Sequence, residues 1–352
     1  MTARHRAQAF CTRFGLATPI LMAPMAGACP PALAAAVANA GGMGAMGALT
    51  SDPAAIAAWA ATFRAHSNGA FQLNLWIPDA PTTRDPAAEA RVRALLSRFG
   101  PEPPPEAGDT PLQDFGAQLA ALLAARPQAV SSIMGLYPPE AVAEMKRRGI
   151  AWFACATTLA EARAAEAAGA DAIVAQGVEA GGHRGSFTPE AADTQLVGLM
   201  ALLPRLADHL SVPIIATGGI ADARTIAAAL TLGASAVQIG TALLRTPEAA
   251  THPAWTAALE NLEPEATMPT RWFSGRLGRA VATTYVRETA GHPAAPYPVQ
   301  RGLTTPMRDA AAKANNGQAM QLWAGQSAAL ARPAPAADLV RGWWAEAQTL
   351  LP

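Results

Sequence analysis

The chain is nearly without lysine: of 26 basic side chains only Lys146 and Lys313 are lysines, and the rest are arginines. Acidic residues also number 26, so the formal net charge is zero. A neutral chain with no basic run and no acidic tail carries no electrostatic footprint for nucleic acid. Cysteine is scarce as well. Cys11, Cys29 and Cys155 are odd in number and far apart, which argues against a disulfide framework or a CxxC metal site and suits a reducing cytoplasm. The six histidines are scattered without an HxH or HxxxH pair, so no metal is expected. No uninterrupted apolar run of about 18 residues occurs, and no membrane span is expected. The opening stretch MTARHRAQAFCTRFG leads into no apolar segment of the signal-peptide kind. Charged residues are only 15% against 51% hydrophobic, which allows a large core and argues against general disorder.

What is present is alternation. Short apolar runs alternate with alanine-rich helical stretches, the pattern of a parallel α/β fold. The expected strands are Ile20–Ala23, Met43–Met46, Phe71–Trp76, Ala129–Met134, Ile150–Cys155, Ala172–Ala175, Pro213–Thr217 and Ala236–Ile239. Eight strands predict a closed (β/α)8 TIM barrel; an open doubly wound sheet is the alternative. The barrel is expected over residues 15–250, with a helical insertion at about 79–128 and a helical extension over 251–352. The insertion holds two helical pieces around a proline-rich linker, and reads equally as a partial lid or a surface decoration. The extension should pack outside the barrel or fold over its mouth. Within it, residues 291–302 carry so many prolines that an extended loop is expected.

Chemistry concentrates at strand ends. The stretch AIVAQGVEAGGHRGSF (172–187) reads as a buried strand ending at Gln176, then a glycine turn with Gly181 and Gly182, then His183. Imidazole is the side chain best suited to move a proton near neutral pH. Two later strand ends carry Gly218-Gly219 and Gly240-Thr241. Consecutive glycine N–H groups at strand-to-helix turns hold phosphate, and barrels place such a site after their last two strands. No GxxxxGK[ST] or Rossmann glycine pattern occurs, so one phosphate on a mononucleotide cofactor or a phosphorylated substrate is expected. Ala23, Pro24 and Met25, with the amides of Asn74, Gln176 and Gln238, suit a flavin ring better than a sugar phosphate.

MAPMAG (22–27), QLNLW (72–76), AQGVEAGGHRG (175–185), ATGGIAD (216–222), QIGTALLRTPEA (238–249) and the LWAGQ segment at 322–326 resemble the nitronate monooxygenase family, class I branch, formerly the 2-nitropropane dioxygenases. The resemblance implies an FMN-containing TIM barrel that oxidises alkyl nitronates with O2, propionate 3-nitronate being a plausible substrate. It implies FMN contacts from Asn74, Gln176, Gly181, Gly219, Gln238, Ile239, Gly240 and Thr241. The loop Ala23–Met25 would lie against the ring, and His183 would be the base or substrate-orienting residue. Some members carry aromatic and histidine residues on the fourth strand; this chain has VSSIMG at 130–135, which predicts a more apolar substrate pocket. Tyr297 either covers the substrate or is a packed surface tyrosine, the simpler reading. Cys155 either faces the pocket or is buried and inert. Rival readings are an FMN-dependent NAD(P)H reductase and a flavin-binding protein without turnover. A barrel of the inosine-monophosphate-dehydrogenase type would need a nucleophilic cysteine in the loop after the sixth strand, and that loop has none.

Overall fold

The computed structural model describes residues 1–352. Its strands are β1 (Ile20–Met22), β2 (Met43–Gly47), β3 (Ala70–Trp76), β4 (Ala129–Ile133), β5 (Ala151–Ala156), β6 (Ala172–Gln176), β7 (Gly182–His183), β8 (Ile214–Thr217), β9 (Ala236–Ile239), β10 (Thr267–Thr270) and β11 (Gly278–Val281). Eight of them close a parallel barrel in the order β1-β2-β3-β4-β5-β6-β8-β9, and β1 meets β9 with Leu21 opposite Gln238. The fold is a TIM barrel. Each expected strand is present with its ends moved by a residue or so. The remaining three, β10-β11-β7, form a small antiparallel sheet.

Period-two alternation sorts every barrel strand. On β3, Phe71, Leu73 and Leu75 join the core between barrel and helices, while Ala70 points inward. The lower interior is filled by Leu21, Met43, Ala70, Ala129, Phe153, Ala172, Ile215 and Ala236. Helix Ala3–Phe14 caps this end: Phe10 and Phe14 join the same cluster, and Phe14 meets Phe153 edge-on at 5.0 Å. Polar inward residues, Gln72, Asn74, Gln176 and Gln238, sit higher, toward the carboxyl ends, and are all buried.

The insertion divides. Helix Phe115–Ala124 buries Leu119, Leu122 and Leu123 in the main core against helix Pro53–His66, so it is a helix of the barrel rather than an added element. Only the stretch before it is inserted. There, helix Pro86–Leu96 buries Val92 and Leu96 in a second core with Trp272, Phe273, Tyr285, Leu303 and Met307 of the extension. No residue of the insertion lines the cavity described below. The insertion therefore props the lid instead of forming it.

The extension does two things. Its middle part covers the barrel mouth. Its last helix, Ala336–Leu350, returns to the outside, packing Leu339, Val340, Trp343 and Ala347 against helices Pro31–Asn39 and Ala223–Thr231. The proline-rich stretch departs from expectation at its end: Val299–Lys313 is a helix. Val299, Leu303, Met307 and Ala311 recur every four residues and are buried in the second core. Burial of that stripe outweighs the local proline signal.

Candidate active site

A cavity of about 380 Å³ opens at the carboxyl ends of the barrel strands and is roofed by the extension. Its wall contains Ala23, Pro24, Met25, Asn74, Gln176, Gly181, Gly182, His183, Gly218, Gly219, Gln238, Gly240 and Thr241. Segments more than 200 residues apart in sequence thus meet at one site. Ile239 is the exception. Its neighbour Gln238 faces inward, so alternation turns Ile239 outward into the barrel–helix core, where it is wholly buried.

The rim after β8 and β9 is built from main chain. Gly218 and Gly219 adopt φ of +108° and +70°, where a side chain would be strained. The N–H groups of Gly218, Gly219, Ile220 and Gly240 make no hydrogen bond within the protein. Helix Ala223–Thr231 starts just beyond, fixed by a reciprocal cap between Asp222 and Thr225. Next to Gly240, after the neighbouring strand β1, Cys29 Sγ accepts from the Met25 N–H at 2.8 Å, holding the Ala23–Met25 turn. Asn74 Nδ2 donates to Ser131 Oγ at 3.0 Å, and Gln72 Nε2 donates to Gln238 Oε1 at 3.0 Å. Gln176 is more committed than its position suggests. Its Nε2 donates to the His183 carbonyl at 3.0 Å and its Oε1 accepts from the Gly185 N–H at 2.8 Å, so both ends clamp the histidine loop.

That loop is not the plain turn its glycines imply. Gly182 and His183 pair with Arg279 and Gly278 of β11. Gly181 is needed for this closure, since a Cβ there would lie 2.4 Å from the Gly325 nitrogen. The imidazole of His183 packs against the rings of Trp76 and Trp323, with centroids 4.6 and 4.8 Å away. Its Nε2 lies 2.7 Å from Ser274 Oγ. Burial, then the positive charges of Arg276, Arg301 and Arg308, lower its pKa from 6.5 to about 3. The ring is neutral at any physiological pH.

The pocket is less apolar than the fourth strand led one to expect. Ser131, Ser132 and Ile133 do line it without a histidine, but Arg301 and Arg308 line it too, from the lid helix. Neither guanidinium has a carboxylate partner. Arg308 Nη1 donates to Gln321 Oε1 at 2.5 Å, and burial lowers its pKa to about 10. Tyr297 is 8% exposed and lines the cavity 5.3 Å from Trp76, so it is a wall residue and not a surface one. Cys155 lines the cavity as well, and burial pushes its thiol up to about 12. It is inward-facing and unreactive at once.

The family model described as nitronate monooxygenase matches residues 8–345. The chain belongs to the nitronate monooxygenase family. It is therefore an oxidoreductase. A nitronate monooxygenase of Pseudomonas aeruginosa is 41% identical over 341 residues, covering 94% of this chain and 97% of that protein. One of Paraburkholderia phytofirmans is 40% identical, covering 97% and 95%. The crystal structure of a nitroalkane oxidase from Streptomyces ansochromogenes superposes with a TM-score of 0.88 at 35% identity, covering 97% of this chain and 99% of that one. Ser274, Arg301 and Arg308 were not singled out from the sequence, and Trp76 and Trp323 entered only within the QLNLW and LWAGQ motifs, without a role. The seven-residue spacing of Arg301 and Arg308 puts both on one helix face, a signal hidden by the expectation of an extended loop through residue 302.

Proposed function

We propose that this protein binds FMN and oxidises alkyl nitronates, and the nitroalkanes that yield them, with O2 to a carbonyl compound and nitrite. The residues present fit the cofactor. Unpaired N–H groups at Gly218, Gly219 and Gly240 offer a phosphate cradle. A Cβ at Gly240 would stand 3.2 Å from Ala23 and 3.3 Å from the Met25 sulfur, closing that space. Ala23–Met25 gives an apolar stretch of the cavity wall, and the Asn74 and Gln238 amides line the same cavity. When bound, FMN supplies the electron acceptor for the nitronate and the donor for O2.

The observation that carries the reading is one roof over one cavity: a neutral imidazole beside two guanidiniums without carboxylate partners. An anionic nitronate is drawn to Arg301 and Arg308, whose charges are little screened in an enclosed site. Trp76, Trp323 and Tyr297 exclude water around it and hold its alkyl part. For a neutral nitroalkane, His183 takes the carbon-bound proton, and the guanidiniums stabilise the negative charge that develops on the nitro oxygens. An imidazole held neutral at pH 7 is free to accept that proton. Because its pKa is so low, a preformed nitronate is the easier substrate. No helix of the chain is long and apolar enough to cross a membrane, which suits the cytoplasmic setting expected from its cysteines.

The test is to purify the protein, identify its chromophore and follow O2 uptake with alkyl nitronates and, separately, anaerobic bleaching with NADH. Bound FMN and nitronate-dependent O2 uptake are expected. Rapid bleaching by NADH with no nitronate turnover would make it a reductase. Yellow protein inert to both would make it a binding protein.

A further inference from the structure

The tautomer of His183 decides which ring nitrogen can take a proton, and the surroundings of Ser274 decide the tautomer. Nε2 and Ser274 Oγ are 2.7 Å apart, a hydrogen bond whichever atom carries the proton. The same hydroxyl oxygen meets the main chain of Arg276 twice. It accepts from the Arg276 N–H at 3.3 Å and reaches the Arg276 carbonyl at 3.3 Å. A serine hydroxyl has one proton to give. If it gives that proton to Nε2, the Arg276 carbonyl is left without a donor, in a residue only 3% exposed. If it gives the proton to the carbonyl, Nε2 must carry its own hydrogen and donate to Oγ. The short contact then survives, and Nε2, the Ser274 hydroxyl and the Arg276 carbonyl are all paired. Buried polar groups settle in the fully paired arrangement.

The arrangement is anchored from both sides. Arg276 Nη2 donates to the Ser186 carbonyl at 3.0 Å, three residues beyond the histidine, and its Nη1 lies 3.2 Å from Asp79 Oδ1. Gly278, two residues on, pairs with His183 itself. Residues 274–278 and the histidine loop are therefore tied together at several points.

We propose that Ser274, held by Arg276, fixes His183 as the Nε2–H tautomer and leaves Nδ1 as the bare nitrogen that accepts the substrate proton. The proposal rests on the reading of His183 as the base for neutral nitroalkanes. In that step the substrate C–H bond breaks, its electron pair moves into the nitro group to give the nitronate, and an N–H bond forms at Nδ1. Nδ1 has no hydrogen-bond partner in the protein, so its lone pair is available. Ser274 is a positioning residue: it acts through the imidazole.

The experiment uses the FMN-loaded enzyme labelled with 15N-histidine, with the His183 signals identified by their loss in His183→Asn. The wild type should show a protonated Nε2 and a bare Nδ1 at neutral pH. Ser274→Ala should give a mixture of tautomers, and Ser274→Thr, which keeps the hydroxyl, should return the wild-type pattern. Turnover of neutral nitroalkane should fall between about tenfold and 10³-fold in Ser274→Ala, recover in Ser274→Thr, and fall far less on preformed nitronate. A wild-type spectrum with the proton on Nδ1, or a Ser274→Ala spectrum identical to wild type, overturns the proposal. The expected spectra with equal losses on nitroalkane and nitronate would instead overturn the base reading and leave the tautomer assignment supported.

Discussion

Acid should destabilise this protein through His183 in a calculable way. Burial, then Arg276, Arg301 and Arg308, lower its pKa from 6.5 to about 3 in the folded chain. On unfolding, the ring leaves the cavity and regains its ordinary affinity for a proton. Below pH 6.5 the unfolded chain binds a proton that the folded chain refuses, so stability falls as pH drops. The loss runs from pH 6.5 down to about 3 and then stops, because below that both states are protonated. Between pH 7 and pH 5 this one group costs about 2 kcal/mol, at about 1.4 kcal/mol per fully uncompensated pH unit. The assay is urea unfolding of wild type and His183→Asn at both pH values in saturating FMN. Other titrating groups are common to the two proteins and cancel in the difference. The wild type should lose about 2 kcal/mol more than the variant over this window. Parallel losses, or an imidazole signal titrating near 6.5 in the folded enzyme, would refute both the burial and the charge argument.

Other consequences follow from the same geometry. Arg301→Gln removes a guanidinium that has no carboxylate partner, so KM for nitronates should rise about tenfold or more while kcat changes little. An unchanged KM in steady-state assays would take the anion-binding role from the lid. Gly181→Ala places a Cβ 2.4 Å from the Gly325 nitrogen and should pry lid from barrel, costing about 1–3 kcal/mol in a denaturant midpoint and weakening FMN retention. Cys11, Cys29 and Cys155 are all buried with thiols raised to about 11, 12 and 12, so iodoacetamide at pH 8 should label none until the protein is unfolded. Rapid labelling of folded protein would place Cys155 in contact with solvent.

The barrel was legible because each strand carries its own evidence. Leu21, Leu73 and Ile215 sit in short apolar runs buried on both faces, and glycines mark where strands hand over to helices; no distant contact is needed to read either. The glycine rim of the cavity was legible for the same reason, since Gly218, Gly219 and Gly240 lie at strand ends whose position the barrel dictates. Ile239 shows the limit of reading a motif as a block: its neighbours face the cavity, and alternation sends it the other way. The roof was not legible. Ser274 reaches His183 across 91 residues, and β10 and β11 are four-residue strands that pair with each other and, through β11, with the two-residue strand β7. Trp272, Leu303 and Val92 belong to three segments that make sense only once they pack together. A short strand or a proline-bearing helix of this kind is stabilised by tertiary burial, not by local preference. The glycine half of the cavity is thus written in local sequence. The half that sets the charge and orientation of His183 comes from long-range packing of the extension, and single-residue changes there should alter chemistry while leaving the barrel and its glycine rim intact.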